Sequence, residues 1–290
     1  MSKITTTSSI WTREHVEVDI IDMHFDFEFL DLGSAGVPII SLGAVIETNT
    51  YVENFYGLNS EFFKSEHMRT LLAAYYDKKH KLHENSKWLF EHVFKHVCFD
   101  VDSNLGDFVK ASKTNDLALL SRYGLPSLIV DGIDGGLGAW NKLNVALQKD
   151  DSEREFGDQR EVCSVTTGPV ATIAKDLVAT IKRVAKRSEL SEFVVRPIGY
   201  HIATDFSLLC NMFGNLMNLP KFFLNYAIDI RVLTDAYGFD HKSYDLDNPH
   251  HALLDARAQR ASFYDIKSAL EVETNKGSNE LLHSILGLPE

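Results

Sequence analysis

Two short segments, far apart in the 290-residue chain, carry side chains that complement each other chemically. Near the N-terminus, Asp26 and Glu28 stand two residues apart, with Ile20-Ile21 before them and Phe29-Leu30 after. Near the C-terminus, Pro249-His250-His251-Ala252-Leu253-Leu254-Asp255-Ala256-Arg257-Ala258 puts a histidine five residues ahead of an aspartate. In a strand, residues i and i+2 share a face. Two carboxylates on one face of a central strand repel each other unless a cation lies between them. Mg²⁺ and Mn²⁺ prefer such oxygen ligands. A histidine nearby, with an unperturbed pKa of about 6.5, suits proton removal from water at neutral pH. Together these parts suggest a carboxylate cage for divalent metals with a histidine base, the kind of apparatus that cuts phosphodiesters. Each half alone also has a plainer reading, since a D-x-E pair occurs on exposed strand faces and paired histidines occur on surfaces.

A third acid, Asp205, follows Gly199-Tyr200-His201-Ile202-Ala203-Thr204 and precedes Phe206-Ser207-Leu208-Leu209. It fits two roles: a first-turn residue favoured by the helix dipole, or a further metal ligand at the end of a strand. His250 and Asp255 would lie on different faces of one continuous helix. A loop at Pro249-His250 instead lets the imidazole fold back over whatever Asp255 holds.

The elements that must position these residues follow from periodicity. Residues 17–28 form a β-prone run, 39–46 a second strand after the Gly33/Gly36/Pro38 turn region, and 51–58 a third, with 47–50 as the hairpin turn. Their short connections imply an antiparallel meander. Residues 61–97 carry helical spacing at Phe62, Phe63, Leu71, Leu72, Tyr75 and Tyr76, continued by Trp88, Leu89, Val93 and Val97. The stretch 99–170 yields no clear element. Residues 170–187 read as a helix with Ile173, Leu177, Ile181 and Val184 on one face. A strand over 193–201, a helix over 205–218 ended by Pro220, a short apolar piece over 227–233 and a helix over 252–272 complete the order. This order suits an α/β fold, a mixed sheet with helices on both faces.

Taken in sequence, Asp26-x-Glu28, Asp205 in Ala-Thr-Asp-Phe-x-x-Leu, and His250-x-x-x-x-Asp255 resemble the DEDDh superfamily of 3′–5′ exonucleases. That superfamily includes ribonuclease T, oligoribonuclease and proofreading exonuclease subunits. The last motif is most similar to the phage and bacterial 3′–5′ exoribonuclease-like group, and Pro38-Ile39-Ile40-Ser41-Leu42-Gly43-Ala44-Val45 resembles the family's second strand. The resemblance covers residues 17–58 and 192–270. It implies a ribonuclease H-like sheet in a single domain over 1–290, with 60–190 as a largely helical insertion or elaboration. It implies Asp26, Glu28, Asp205 and Asp255 as ligands of two divalent cations, Mg²⁺ or Mn²⁺, and His250 as general base. RNA or single-stranded DNA would be shortened from its 3′ end to nucleoside 5′-monophosphates, and a homodimer is the assembly suggested. Asp229 is expected as a hydrogen-bonded support rather than a ligand. Phe27-Glu28-Phe29-Leu30 departs from the Thr or small residues that many relatives carry after the glutamate, so contacts of Phe27 with a terminal nucleotide would differ. Tyr200 and Phe206 fit either base stacking or the core.

Composition narrows the remaining classes. A net charge of −12 argues against broad clamping of duplex DNA, which needs a basic surface. Ligating carboxylates add negative charge that bound metal reverses locally. No apolar run reaches the roughly 20 residues of a membrane helix, and residues 1–9 are polar without the apolar core of a signal peptide. Cys98, Cys163 and Cys210 form no C-x-x-C pair, so a disulfide framework or zinc ribbon is not expected and a reducing cytoplasm is the default. His92 and His96 lack the glutamate of a zincin motif and read as a solvated helix face. Gly132–Gly138 lacks a phosphate-binding Lys-Ser/Thr and reads as a turn. Lys175, Lys182, Arg183, Lys186 and Arg187 read as a solvated face or a backbone guide for nucleic acid. Two further functional readings compete: a catalytically inactive nuclease-fold module that binds nucleic acid or protein, and a different metal phosphohydrolase.

Overall fold

In the computed structural model, residues 3–7, 15–30, 38–59, 61–62, 65–94, 162–237 and 250–274 are described. Among the described residues, seven strands form one mixed sheet: β1 (Lys3–Thr7), β2 (His15–Phe29), β3 (Ile39–Glu47), β4 (Val52–Asn59), β5 (Val162–Gly168), β6 (Phe193–Gly199) and β7 (Ile228–Asp229). Their order is β5-β4-β3-β2-β6-β7, with β1 paired to β2. The β2–β3–β4 part is antiparallel, whereas β4/β5, β2/β6 and β6/β7 run parallel. The described helices are α1 (Glu66–Tyr76), α2 (His83–Trp88), α3 (Val170–Arg187), α4 (Ala203–Met212), α5 (Ile230–Tyr237) and α6 (Ala252–Thr274). Among them, none is long and apolar enough to cross a membrane.

Strict alternation in Ile21-Asp22-Met23-His24-Phe25-Asp26-Phe27-Glu28 decides how β2 sits. Ile21, Met23, Phe25 and Phe27 turn to the main core, where they meet Ile173, Leu177, Ile181 and Val184 of α3 and Leu208 and Leu209 of α4. Asp22, His24, Asp26 and Glu28 take the other face, which α6 covers through its packing on β2 and β3. Buried ionisable groups on that face need partners. Arg196 of β6, 1% exposed, grips Asp22 with two hydrogen bonds, Nε–Oδ1 2.7 Å and Nη2–Oδ2 2.9 Å. His24 Nε2 lies 3.0 Å from Glu47 Oε1, and Arg260 Nε of α6 donates to Glu47 Oε2 at 2.8 Å. Balanced ion pairs therefore fill the middle of this layer.

Several elements differ from the sequence expectation. The 61–97 segment breaks at residues 77–82 into α1 and α2, and α2 continues into a π-helical turn, Leu89–Phe94. Ser65 caps α1 by accepting from the Met68 N–H at 3.4 Å. The 205–218 helix stops at Met212, where Gly214 takes φ 94°, and a short 3₁₀ turn, Leu216–Asn218, follows. The 227–233 piece is a two-residue strand followed by α5. β5 and α3, which fall inside the 60–190 segment, take part in the sheet and in the main core respectively. The basic face of α3 is not simply solvated: Arg183 clamps the buried Glu53 and Arg187 lies 5.1 Å over the Tyr51 ring. His96 and the Gly132–Gly138 turn lie outside the described residues.

Candidate active site

The carboxylates gather where β2 outruns its neighbour. Parallel pairing of β6 with β2 ends at His24↔Ile198. Beyond that point β6 turns away through Gly199 into α4, and the Phe27 N–H of β2 donates to Asp205 Oδ1 at 3.2 Å. Asp205 therefore stands in for the missing strand. It occupies the first turn of α4, the helix-terminus place expected of it, and is buried.

On the other side, β3 brings in the N-terminus of α6. Gly43 is the partner of Asp26 in the β2/β3 register. A Cβ on Gly43 would fall 2.1 Å from Leu253 N and 2.2 Å from Ala252 C, both backbone atoms. Only glycine lets the first turn of α6 lie directly on β3. That contact sets Asp255 beside Asp26 and Glu28: ligand oxygens of the three lie within 4.8 Å of one another. Asp205 is outside this tight set but lines the same cavity. His250 adopts φ 73°, a left-handed conformation uncommon for a non-glycine residue, and its N–H donates to Asp255 Oδ2 at 3.0 Å. The chain thus turns sharply before α6, and the imidazole lines the cavity instead of continuing the helix.

The cavity measures about 450 Å³. Asp26, Glu28, Asp205, Asp255 and His250 form its polar wall, and Phe29, Leu30, Trp88 and Leu89 its apolar one. Unlike Asp22 and Glu47, none of the four acids pairs with a lysine or arginine among the described residues. Their protonation equilibria register this. Burial, then the charges of Asp205, Glu28 and Asp255, hold Asp26 well above the ordinary carboxylate range, with a hydrogen bond from Gln259 opposing. Burial, then Asp255 and Asp205, push Glu28 from 4.5 to about 8. Burial lifts Asp205 and Asp255 to about 7 each, against the backbone N–H groups that bond them. Four acids that resist ionisation together, without an internal cation, form a donor set that suits a hard divalent ion. Burial and, secondarily, the nearby His92 hold His250 below its ordinary 6.5. Its imidazole is therefore neutral and able to accept a proton at neutral pH.

Trp88 and His92 were not legible as site residues. Trp88, 42% exposed, meets His250 edge-on at 4.7 Å and stacks on His92 at 5.3 Å and 13°. His92 Nδ1 lies 2.9 Å from the Trp88 carbonyl, and its ring is 6.2 Å from His250. The π turn sets this register, whereas a regular helix with His92 and His96 on one outer face was expected. Gln259 was also missed. Its Nε2 donates to Asp26 Oδ1 at 3.0 Å, and the available clue was its place one helical turn after Asp255.

The three aromatic candidates are not brought together. Phe27 lines the cavity, but its side chain is 3% exposed and belongs to the core on the opposite face of β2 from the carboxylates. Phe206 packs against the main core. Tyr200 packs against the cluster of Ile198, Ile228 and Phe263, and its hydroxyl accepts from Arg231 Nη1 at 2.8 Å. Neither Phe206 nor Tyr200 lines the cavity. Asp229 Oδ1 accepts from the N–H groups of His201 and Arg231, at 3.2 and 2.9 Å. A scan against protein-family models finds no match to this chain, and a comparison with curated proteins finds none.

Proposed function

We propose that the chain is a metal-dependent 3′–5′ exonuclease on a ribonuclease H-like fold, acting on RNA or single-stranded DNA. The observation that carries this reading is the gathering of Asp26, Glu28, Asp205, Asp255 and His250, from three distant segments, around one cavity. The mixed sheet with its antiparallel first meander is compatible with it. Asp26, Glu28 and Asp255 would hold one divalent ion, and Asp205 would complete the set for a second. Bound there, Mg²⁺ or Mn²⁺ supplies Lewis acidity to the phosphoryl group and neutralises charge on the leaving 3′-oxygen.

The chain's own groups do the rest. His250, neutral at working pH, accepts the proton of the attacking water. Its left-handed backbone and the Trp88 contact aim the imidazole into the cavity. The apolar wall gives a nucleobase a place out of water. Asn85 and Trp88 of α2 and Leu89 line the cavity beside these groups.

RNA and DNA oligonucleotides with free or blocked 3′ ends, incubated with Mn²⁺ and with or without chelator, test the proposal. Mononucleotide release that needs both a free 3′ end and metal is the expected result. Tight binding without turnover would favour the inactive module, and activity confined to small phosphoesters would favour another phosphohydrolase.

A further inference from the structure

Three of the four acids share one arrangement. Asp205 Oδ1 is held by the Phe27 N–H, Asp255 Oδ2 by the His250 N–H and Asp26 Oδ1 by Gln259 Nε2. In each aspartate a nitrogen donor holds the carboxylate oxygen named, and Asp205 and Asp255 receive a further backbone N–H, from Asp205 itself and from His251. Of the three donors first named, two are backbone amides. The third is a side chain, delivered by α6 one turn after Asp255.

The rest of Gln259 is shaped around that contact. Its Oε1 is buried with no hydrogen-bond partner among the described residues, which ordinarily costs about 1–3 kcal/mol. A Cβ on Gly199 would clash with Ile202 Cδ1 at 2.1 Å and would also lie 3.3 Å from this Oε1, so the amide packs tightly against the end of β6. With Asp26 ionised, as a bound cation would keep it, the amide cannot profitably turn over, because Oε1 would then face a carboxylate oxygen, acceptor against acceptor. A side chain that gives up one polar atom to keep the other on Asp26 is placed for Asp26.

We propose that Gln259 is a positioning residue that fixes the Asp26 carboxylate for divalent-cation binding, turning one oxygen toward Gln259 and the other toward the ion. This rests on the metal reading above and extends it to a residue outside the ligand set. Outer partners of ligating carboxylates orient them, and their loss typically weakens metal binding about 10–100-fold.

The test uses the full chain and Mn²⁺ alone, by calorimetric titration, comparing wild type with Gln259→Ala and Gln259→Met. Methionine retains the length of the side chain but donates nothing. The expected result is a Mn²⁺ dissociation constant about 10–100-fold higher in both variants. Melting temperatures in chelator should stay within roughly 2 °C of wild type, as suits loss of one hydrogen bond in a chain of this size. Variants that bind Mn²⁺ as wild type does, or that melt lower with affinity unchanged, overturn the assignment and leave Gln259 a packing residue. A wild-type chain that takes up no Mn²⁺ overturns the metal reading itself, a result the variants alone could not produce.

Discussion

Glu28→Gln should stabilise the metal-free protein while destroying its activity. Glu28 is 8% exposed and has no hydrogen-bond donor or cationic partner among the described residues. Burial and the neighbouring acids raise it from 4.5 to about 8. The folded chain therefore keeps the proton over a range where the unfolded chain has lost it. The stability this proton contributes is complete below the unfolded value and is lost as pH rises through about 8. At about 1.4 kcal/mol per tenfold change in proton concentration, the penalty reaches on the order of 3 kcal/mol at neutral pH, before it is shared among four interacting acids. Glutamine keeps the shape of the protonated acid and cannot ionise. With roughly 2 °C of melting temperature per kcal/mol at this size, Glu28→Gln should melt up to about 6 °C above wild type near pH 7 in chelator. Near pH 4, below the unfolded value of 4.5, the difference should shrink toward zero, because Glu28 is then largely protonated in both states and as uncharged as glutamine. Millimolar Mn²⁺ should raise the wild-type melting temperature and reverse the ranking. Melting curves by circular dichroism across this pH range read all of these effects. A variant less stable than wild type near pH 7, or a gain of the same size at both pH values, would show that charge repulsion is not what strains this site.

Gly43→Ala should displace the first turn of α6, because its Cβ would meet backbone at 2.1 Å. Mn²⁺ uptake and activity should both fall at least about tenfold as Asp255 is moved, with sheet circular dichroism retained; unchanged Mn²⁺ affinity would mean that the close approach does not set the site. Arg196→Met leaves Asp22 buried without its partner and should cost about 3–5 kcal/mol in urea unfolding, and a loss under about 1 kcal/mol would contradict the burial of that pair. His250→Ala should lower the maximal rate about 100-fold or more with little change in substrate affinity. In the wild type the rate should rise with pH through a pKa below 6.5, the direction in which burial moves His250, and loss of that limb in the variant checks the base assignment.

What the sequence made legible was local. Alternation in residues 21–28 yields the strand, its faces and the paired carboxylates without reference to the rest of the chain. Caps and periodicity likewise mark α3 and α6 to within a few residues. The missed parts depend on distant partners. β5 is a Thr- and Ser-containing run whose only reason to extend is parallel pairing with β4, about a hundred residues earlier. Arg183 reads as a surface charge until Glu53 is placed beneath it. Tyr200 and Phe206 flank a site residue in sequence, yet the turn after β6 sends one to the Ile198 cluster and the other to the main core. Trp88 lines the cavity from the end of α2, and His92, in the π turn that follows, is tied to the site only through its ring contacts with Trp88 and His250, which side-chain spacing does not announce. The glycines were visible as residues, but Gly43 acquires meaning only once α6 is laid across it.

Anomalous diffraction from crystals grown with Mn²⁺ tests the central claim most directly. The account predicts a manganese peak at about 2.1 Å from carboxylate oxygens of Asp26, Glu28 and Asp255, with a second peak reaching Asp205. A well-ordered cavity with no manganese beside these acids, at a concentration that supports turnover, would contradict it.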